Sequence, residues 1–297
     1  MKYLLLIFVG WMIFGVEAIS QKSKSEHADS TWIVETKDGN TYTGMLKVLQ
    51  TGVLYEITTS IGVLTLREEN ISFIKKVEAN RIHGNDYWPD NPHSSRYFFA
   101  PSGYGLRKGE GYYTNAWIFF NQLSYGFTNW LTLGAGCVPT FLFGAREFIP
   151  YWVTPKLNFD LKNGKGAIGL GTIYLNVTGL DEGSNGVGLV YGSYTLGSRE
   201  KQLTFGAGLG YSGGSFSSTP AFSLSGLRRT SKKWALMTEN YFVFNGSDGF
   251  FLMSGGARYM ARRLAIDFGG FIPGGSSVGA IIILPWLSLN VPFGRRY

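Results

Sequence analysis

The sequence predicts an all-β fold in which an up-and-down transmembrane antiparallel β-barrel of about 12 strands follows a small SH3/Sm-like barrel. Three observations support this fold class. Glycine occupies 41 of 297 positions, and a glycine inside a helix costs about 1 kcal/mol relative to alanine, which disfavours a helical bundle. Apolar residues alternate with small or polar residues along many segments, as in β-strands that separate two environments. Short polar turns recur between these segments, which is typical of a meander of sequential strands.

The first 18 residues have the pattern of a signal peptide. Lys2 supplies the positive charge, an apolar run extends from Leu4 to Val16, and Ala18 places a small residue at the expected cleavage site. The run is short for a transmembrane helix, which needs about 20 apolar residues, so a membrane-anchoring helix is the less favoured alternative. We therefore expect residues 1–18 to be removed and the mature chain to be exported.

Residues 30–78 are predicted to form a small β-barrel of short strands. Asp38 and Gly39 form a hairpin signal between two alternating segments. The segment resembles the Sm-like barrel family, both in its D-G-x-x-Y-x-G-x-L pattern and in a last strand of the form I-x-x-I. The residues that carry this resemblance are Asp38, Gly39, Tyr42, Gly44, Leu46, Ile71 and Ile74.

The resemblance implies the barrel fold, but the sequence departs from the family at its RNA-contacting positions. Residues 50–52 read Gln-Thr-Gly and residues 67–70 read Arg-Glu-Glu-Asn, where the family carries different residues. The formal net charge of +7 is scattered over turns rather than concentrated in one patch. We therefore expect no nucleic-acid binding, and a contact with a periplasmic protein or a packing role becomes the favoured use of residues 30–78.

Residues 79–95 are predicted to be a linker because Gly84, Pro89 and Pro92 oppose regular structure. The barrel is predicted to occupy residues 96–297, and ten or fourteen strands remain alternatives to twelve. The expected strands lie near residues 97–105, 112–126, 130–138, 149–161, 166–178, 186–197, 201–212, 218–228, 233–245, 249–260, 263–272 and 280–292.

The alternation indicates which solvent contacts each face of the barrel. In residues 203–211 every odd position is apolar and every even position is glycine or threonine, and charged residues are concentrated in turns. A lipid-facing exterior with a polar interior fits this pattern. The alternative is a soluble secreted β-sandwich or lipocalin-like barrel, whose apolar residues face inward. We expect outer-membrane lipid around the barrel, tight turns on the periplasmic side and residues 30–78 in the periplasm.

The last residue, Tyr297, resembles the C-terminal aromatic signal of outer-membrane proteins. This resemblance implies insertion by the barrel-assembly machinery of a Gram-negative cell envelope.

Five ionisable residues are predicted to point into the lumen. They are Lys156, Asp160, Glu239, Arg258 and Asp267. Arg258 and Asp267 are equally far from the Arg262-Arg263 turn, so a two-residue turn sets them opposite each other on adjacent strands. One interpretation is an ion-pair network that fixes the barrel, and the other is a charged constriction that selects solutes.

Catalysis is not expected from this sequence. The three histidines, His27, His83 and His93, precede the predicted barrel, so its strands alone cannot assemble a histidine-based triad. Asp181 and Glu182 provide too few ligands for a calcium site. We expect neither a metal nor a cofactor. The favoured function is a passive, porin-like channel for small solutes. The alternative is a non-conducting envelope scaffold or binding protein that acts through the periplasmic module or the outer loops.

Overall fold

A computed structural model of the chain contains two compact units, Met1–Tyr87 and Trp88–Tyr297. The predicted signal peptide, the Asp181-Glu182 pair, the Arg262-Arg263 turn and Tyr297 lie outside the described residues. Within the described part of the chain, no helix is both long enough and apolar enough to cross a membrane. The structure describes residues 31–77, 81–83, 86–144, 147–161, 164–179, 186–245, 248–261, 264–275 and 282–294.

The first unit is built on a five-stranded antiparallel sheet. Its strands are β1 (Thr31–Thr36), β2 (Thr41–Gln50), β3 (Leu54–Thr59), β4 (Gly62–Arg67) and β5 (Ile71–Val77). The order in the sheet is β4-β3-β2-β1-β5, and a one-turn 3-10 helix, Glu68–Asn70, precedes β5. Gly44 is required in β2 because a Cβ there would lie 1.9 Å from the carbonyl oxygen of Thr58. A separate two-stranded pair, β6 (Ile82–His83) and β7 (Asp86–Tyr87), follows the sheet.

The second unit is a closed antiparallel barrel with twelve wall strands, as the sequence predicts. Each strand pairs with its neighbour in the sequence, and β20 pairs with β8 to close the barrel. Two short strands, β11 and β12, together form one wall strand that is interrupted at Thr154 and Pro155. The strands are β8 (Glu110–Ala116), β9 (Phe120–Gly126), β10 (Leu131–Cys137), β11 (Pro150–Val153), β12 (Lys156–Asp160), β13 (Gly166–Val177), β14 (Val187–Ser198), β15 (Lys201–Ser212), β16 (Ser215–Arg229), β17 (Trp234–Asn245), β18 (Asp248–Met260), β19 (Ala265–Gly275) and β20 (Leu284–Gly294).

Two of the predicted strands are wrong, and their errors cancel in the strand count. Residues 97–105 are not a wall strand, although the sequence predicts one there. The single strand predicted at 112–126 is a hairpin of β8 and β9. Its turn contains Trp117 and Ile118, whose φ angles of 48° and 68° are uncommon for residues other than glycine. The turn, Trp117–Phe119, contains no glycine, proline or asparagine, so the sequence carries no local signal for it.

The connection between β15 and β16 is also shorter than predicted. The strands predicted at 201–212 and 218–228 leave five residues between them, but in the structure the strands continue to a two-residue turn at Gly213 and Gly214. Both glycines have positive φ angles, 58° and 79°, as tight hairpin turns of this kind require.

The barrel wall is apolar outside and polar inside. In β12, the side chains of Leu157 and Phe159 are 37% and 50% exposed, whereas those of Lys156 and Asn158 are buried. In β15, Phe205 is likewise exposed while Thr204 is buried. Because apolar side chains cover the outer surface, the medium in which this barrel is stable is hydrocarbon rather than water.

The interior of the barrel contains residues 91–106, which we call the inner segment. Except for an isolated bridge between Arg96 and Pro101, the segment pairs with no strand. Tyr97 and Phe98 are fully buried, and the ring of Phe98 packs against Phe271 at a centroid distance of 5.6 Å. Residues 97–105, which the sequence predicts as a strand, are thus enclosed by the wall and are not part of it.

Candidate functional site in the barrel lumen

We call the end of the barrel with the connections Phe127–Trp130, Arg199–Glu200 and Thr230–Lys233 the turn end. The opposite end, with Trp117–Phe119 and the connection 138–149, is the loop end. The inner segment enters the lumen from the turn end and folds back to it, and buried wall side chains bind its backbone.

Arg258 of β18 makes the strongest of these attachments. It lies directly opposite Asp267 on the neighbouring strand β19. The guanidinium Nε lies 2.6 Å from Asp267 Oδ1, and both side chains are fully buried. The remaining donors reach the inner segment at the carbonyls of His93, Arg96 (3.3 Å) and Tyr97 (3.2 Å). A buried ion pair recovers its desolvation cost only if its other donors are satisfied. The carbonyls of the inner segment provide that satisfaction.

Lys156 forms a second attachment on the other side of the lumen. Its ammonium donates to the carbonyl oxygens of Ser95 (3.4 Å), Ser102 (2.6 Å) and Tyr104. These three acceptors match the three donors of an ammonium group. Lys156 therefore holds three points of the inner segment at once.

Glu239 forms a third attachment and is fully buried. Its carboxylate accepts a hydrogen bond from the backbone N–H of Phe99 at 2.8 Å and another from the Tyr241 hydroxyl at 2.6 Å. The carboxylate thus holds the inner segment at Phe99, in the middle of residues 91–106.

Asp160, the fifth predicted residue, is half-exposed at the turn end and pairs with Arg199, whose Nη2 lies 3.2 Å from Asp160 Oδ2. Arg199 also donates to the carbonyl of Gly105 at 2.8 Å, and its guanidinium carbon lies 4.6 Å from the centroid of the Tyr104 ring. Asp160 therefore acts on the inner segment through Arg199.

Sequence reasoning also missed several other attachments. Arg229 donates to Glu200 at 3.0 Å and to the carbonyl of Pro89 at 2.6 Å. Thr204 forms a 2.7 Å hydrogen bond with the Tyr97 hydroxyl. The available signal was period two, because Arg229 and Thr204 occupy inward positions of β16 and β15 close to tight turns. A role of any of these residues in solute selection stays a prediction.

The part of the lumen that the inner segment leaves open is a chamber of about 310 Å³ at the loop end. Its floor includes Arg96 and Lys156, and its sides carry polar residues of β9 and β10 such as Gln122 and Thr132. Aromatic rings dominate the rest of the lining; they include Tyr112, Trp117, Phe120, Trp152, Tyr191 and Trp286. Trp117 and Trp286 lie 5.1 Å apart between ring centroids. The chamber therefore offers apolar ring surfaces above a cationic floor.

His93 corrects the expectation that all three histidines lie apart from the barrel, because its side chain is fully buried in the lumen. Neither ring nitrogen has a hydrogen-bond partner among the described residues. Burial, with the positive charges of Arg258 and Arg96, holds the pKa of His93 well below its ordinary value of 6.5. A catalytic histidine is paired with a nucleophile and an orienting group, and His93 has neither partner in the described lumen. Among the described residues, no group of His, Cys, Asp or Glu side chains has the arrangement of a metal site.

Comparison with known proteins gives similarities to solved structures only. No protein-family model matches the chain, and no curated protein matches it. A KdgM porin shares 10% sequence identity over 64% of this chain and 98% of its own, with a TM-score of 0.40. OprD of Pseudomonas aeruginosa shares 8% identity over 89% of this chain and 93% of its own, with a TM-score of 0.37. The CymD monoaromatic hydrocarbon channel shares 10% identity over 90% and 87%, with a TM-score of 0.35. These TM-scores are too low for the similarities to support a conclusion about this chain.

Proposed function

We propose that the chain is an outer-membrane β-barrel that passes small solutes through its lumen. The observation that carries this proposal is the closed twelve-stranded wall, apolar outside, around a chamber of about 310 Å³. Closed barrels are one of the two backbone arrangements that satisfy every amide within lipid. The inner segment narrows the path at the turn end, so small solutes are the class that fits.

The orientation follows from connectivity. With twelve wall strands, β8 begins and β20 ends at the turn end, where the short connections lie. Outer-membrane barrels carry short turns on the periplasmic side and longer loops outside. We therefore infer that the turn end faces the periplasm and that residues 31–77 are periplasmic. The five-stranded sheet and its 3-10 helix support a small barrel there, with a periplasmic protein as its partner.

Conductance in planar bilayers tests the proposal directly. The purified full chain is expected to produce discrete current steps in neutral salt. Glu239→Lys adds positive charge beside the inner segment, and we expect a shift of reversal potential toward anion selectivity. A bilayer that stays electrically silent at high protein density, with the barrel shown to be inserted, contradicts the channel function.

The buried inner segment favours one second candidate, a non-conducting binding protein of the envelope. In that case the chamber takes a ligand from the loop end but releases nothing at the turn end. Liposome swelling separates the two functions, because a channel admits small sugars or amino acids into the vesicle and a closed binding protein does not. Lys156→Met removes three bonds to the inner segment and is expected to loosen it, so swelling by a channel is expected to be faster in this variant.

A further inference from the structure

The chamber combines aromatic surfaces with a positive charge that is not balanced within its lining. The charged side chains of the described lining are Arg96 and Lys156, and no acidic side chain is among them. Lys156 uses its three donors on backbone carbonyls, so it offers the chamber no free hydrogen bond. Arg96 differs in that its Nε is buried and has no hydrogen-bond partner among the described residues.

Arg96 is held in place from two sides. Its carbonyl accepts a hydrogen bond from Arg258, and its backbone forms a bridge with Pro101. Its guanidinium carbon lies 5.8 Å from the centroid of the Tyr112 ring, which is part of the chamber wall. The nearby carboxylate of Glu239 is already bound by Phe99 and Tyr241 and is not part of the lining. Because the Arg96 side chain lines the chamber, its planar guanidinium is suited to a carboxylate, which it binds in a fixed geometry.

The aromatic residues define the body of the ligand. Trp117 packs against Trp286 at 5.1 Å and Phe120 packs against Trp152 at 6.0 Å between centroids, and all four rings belong to the chamber lining. Such surfaces favour another ring in a stacked or edge-to-face arrangement. The chamber volume lies near the lower limit of small-molecule sites, which is roughly 300 Å³. The ligand is therefore small, with a flat apolar body.

We propose, on the basis of the function proposed above, that the chamber binds a small aromatic carboxylate whose carboxylate group pairs with Arg96. The ring of the ligand lies among the tryptophans, and its charge points to the floor of the chamber. The remaining carboxylate lone pairs face polar residues on the sides of the chamber, such as Gln122 and Thr132.

Three probes of one shape and different charge test this proposal: 2-naphthoate, 2-naphthamide and 2-naphthylmethylamine. Their affinities are measured on the purified full chain in detergent micelles by isothermal titration and by quenching of tryptophan fluorescence. We expect 2-naphthoate to bind at least tenfold more tightly than the amide, and the amine to bind most weakly. Equal affinities for the three probes, or binding of none, overturn the proposal.

Single-residue variants test whether Arg96 is the side chain that binds the carboxylate of the ligand. Arg96→Gln is expected to remove the tenfold preference, Arg96→Lys to retain part of it, and Arg228→Gln to leave it unchanged, because Arg228 is exposed. A preference that survives in Arg96→Gln overturns the assignment. If Arg96→Gln does not assemble, Trp152→Phe provides the second measurement, since a ligand in the chamber must quench less fluorescence there than in the unmodified protein. Conductance is measured separately, so a silent bilayer with anion binding refutes the channel and leaves this inference standing, and the reverse result refutes only this inference.

Discussion

Replacing Arg258 is expected to be the most destabilising single change in the lumen. Arg258→Met leaves the fully buried carboxylate of Asp267 without its partner, and a buried charge that loses its partner costs about 3–5 kcal/mol. The same change removes the donors that bind the carbonyls of His93 and Tyr97. We therefore expect the free energy of unfolding to fall by about 3–5 kcal/mol.

The double variant Arg258→Met/Asp267→Leu tests the reason for this loss. It removes the unpaired charge but leaves the carbonyls of the inner segment without these donors and Asn290 Nδ2 without its acceptor, since Asn290 Nδ2 lies 3.1 Å from Asp267 Oδ2. A loss of at least about 1–3 kcal/mol is expected to remain, because even one buried group left without a hydrogen bond costs about that much. The second substitution is therefore expected to recover only part of the loss.

The assay is urea unfolding of the barrel in lipid vesicles, followed by tryptophan fluorescence, with the exposed Arg228→Met as the control. Arg228→Met is expected to stay within about 0.5 kcal/mol of the unmodified protein, as surface substitutions usually do. The reasoning is refuted if the double variant is no more stable than Arg258→Met, because then the unpaired carboxylate does not cause the loss.

Three further predictions concern the wall and the inner segment. Phe205→Arg places a charge on the outer face near the middle of β15 and is expected to lower the free energy of unfolding in vesicles by about 2–4 kcal/mol. Ile61→Arg, at an exposed position of the first unit, is expected to lower it by less than about 0.5 kcal/mol. Equal effects of the two variants in urea titrations contradict a lipid-facing wall. Phe98→Ala empties a fully buried site against Phe271 and Trp286 and is expected to lower the free energy of unfolding by about 3–5 kcal/mol. Phe99→Ala, at a half-exposed side chain, is expected to lower it less, and equal losses for the two variants contradict the packing role of Phe98. Because the folded pKa of His93 lies below its unfolded value of 6.5, the unfolded chain takes up the proton first and stability falls as the pH drops below 6.5. His93→Phe is expected to flatten this dependence between about pH 7 and 5, and an unfolding free energy of the unmodified protein that is constant over that range refutes the argument.

The wall of the barrel was predictable because its signal is local. Period-two alternation places Lys156 and Thr204 inward without any knowledge of tertiary structure, and equal distance from a turn sets Arg258 opposite Asp267. These inferences need only strand geometry and the position of the turns.

The inner segment was not predictable in the same way. Its apolar run around Phe98 has the composition of a strand, and only the surrounding wall makes it an enclosed core. The partners of Arg258 are backbone carbonyls more than 150 residues earlier in the chain, which no spacing rule reaches. The turn at Trp117 and Ile118 escaped prediction for a different reason, because tertiary contacts impose positive φ angles on residues that do not favour them.

The two ends of the inner segment leave the lumen on the same side. At one end Pro89 is bound by Arg229 beside the Thr230–Lys233 connection, and at the other Gly109 donates to Gly126 close to the start of β8. The segment is therefore a hairpin-like insertion from one rim rather than a strand threaded through the ring. It can be withdrawn toward that rim without breaking the backbone hydrogen bonds between neighbouring wall strands, so the closed wall does not depend on the segment that fills its lumen.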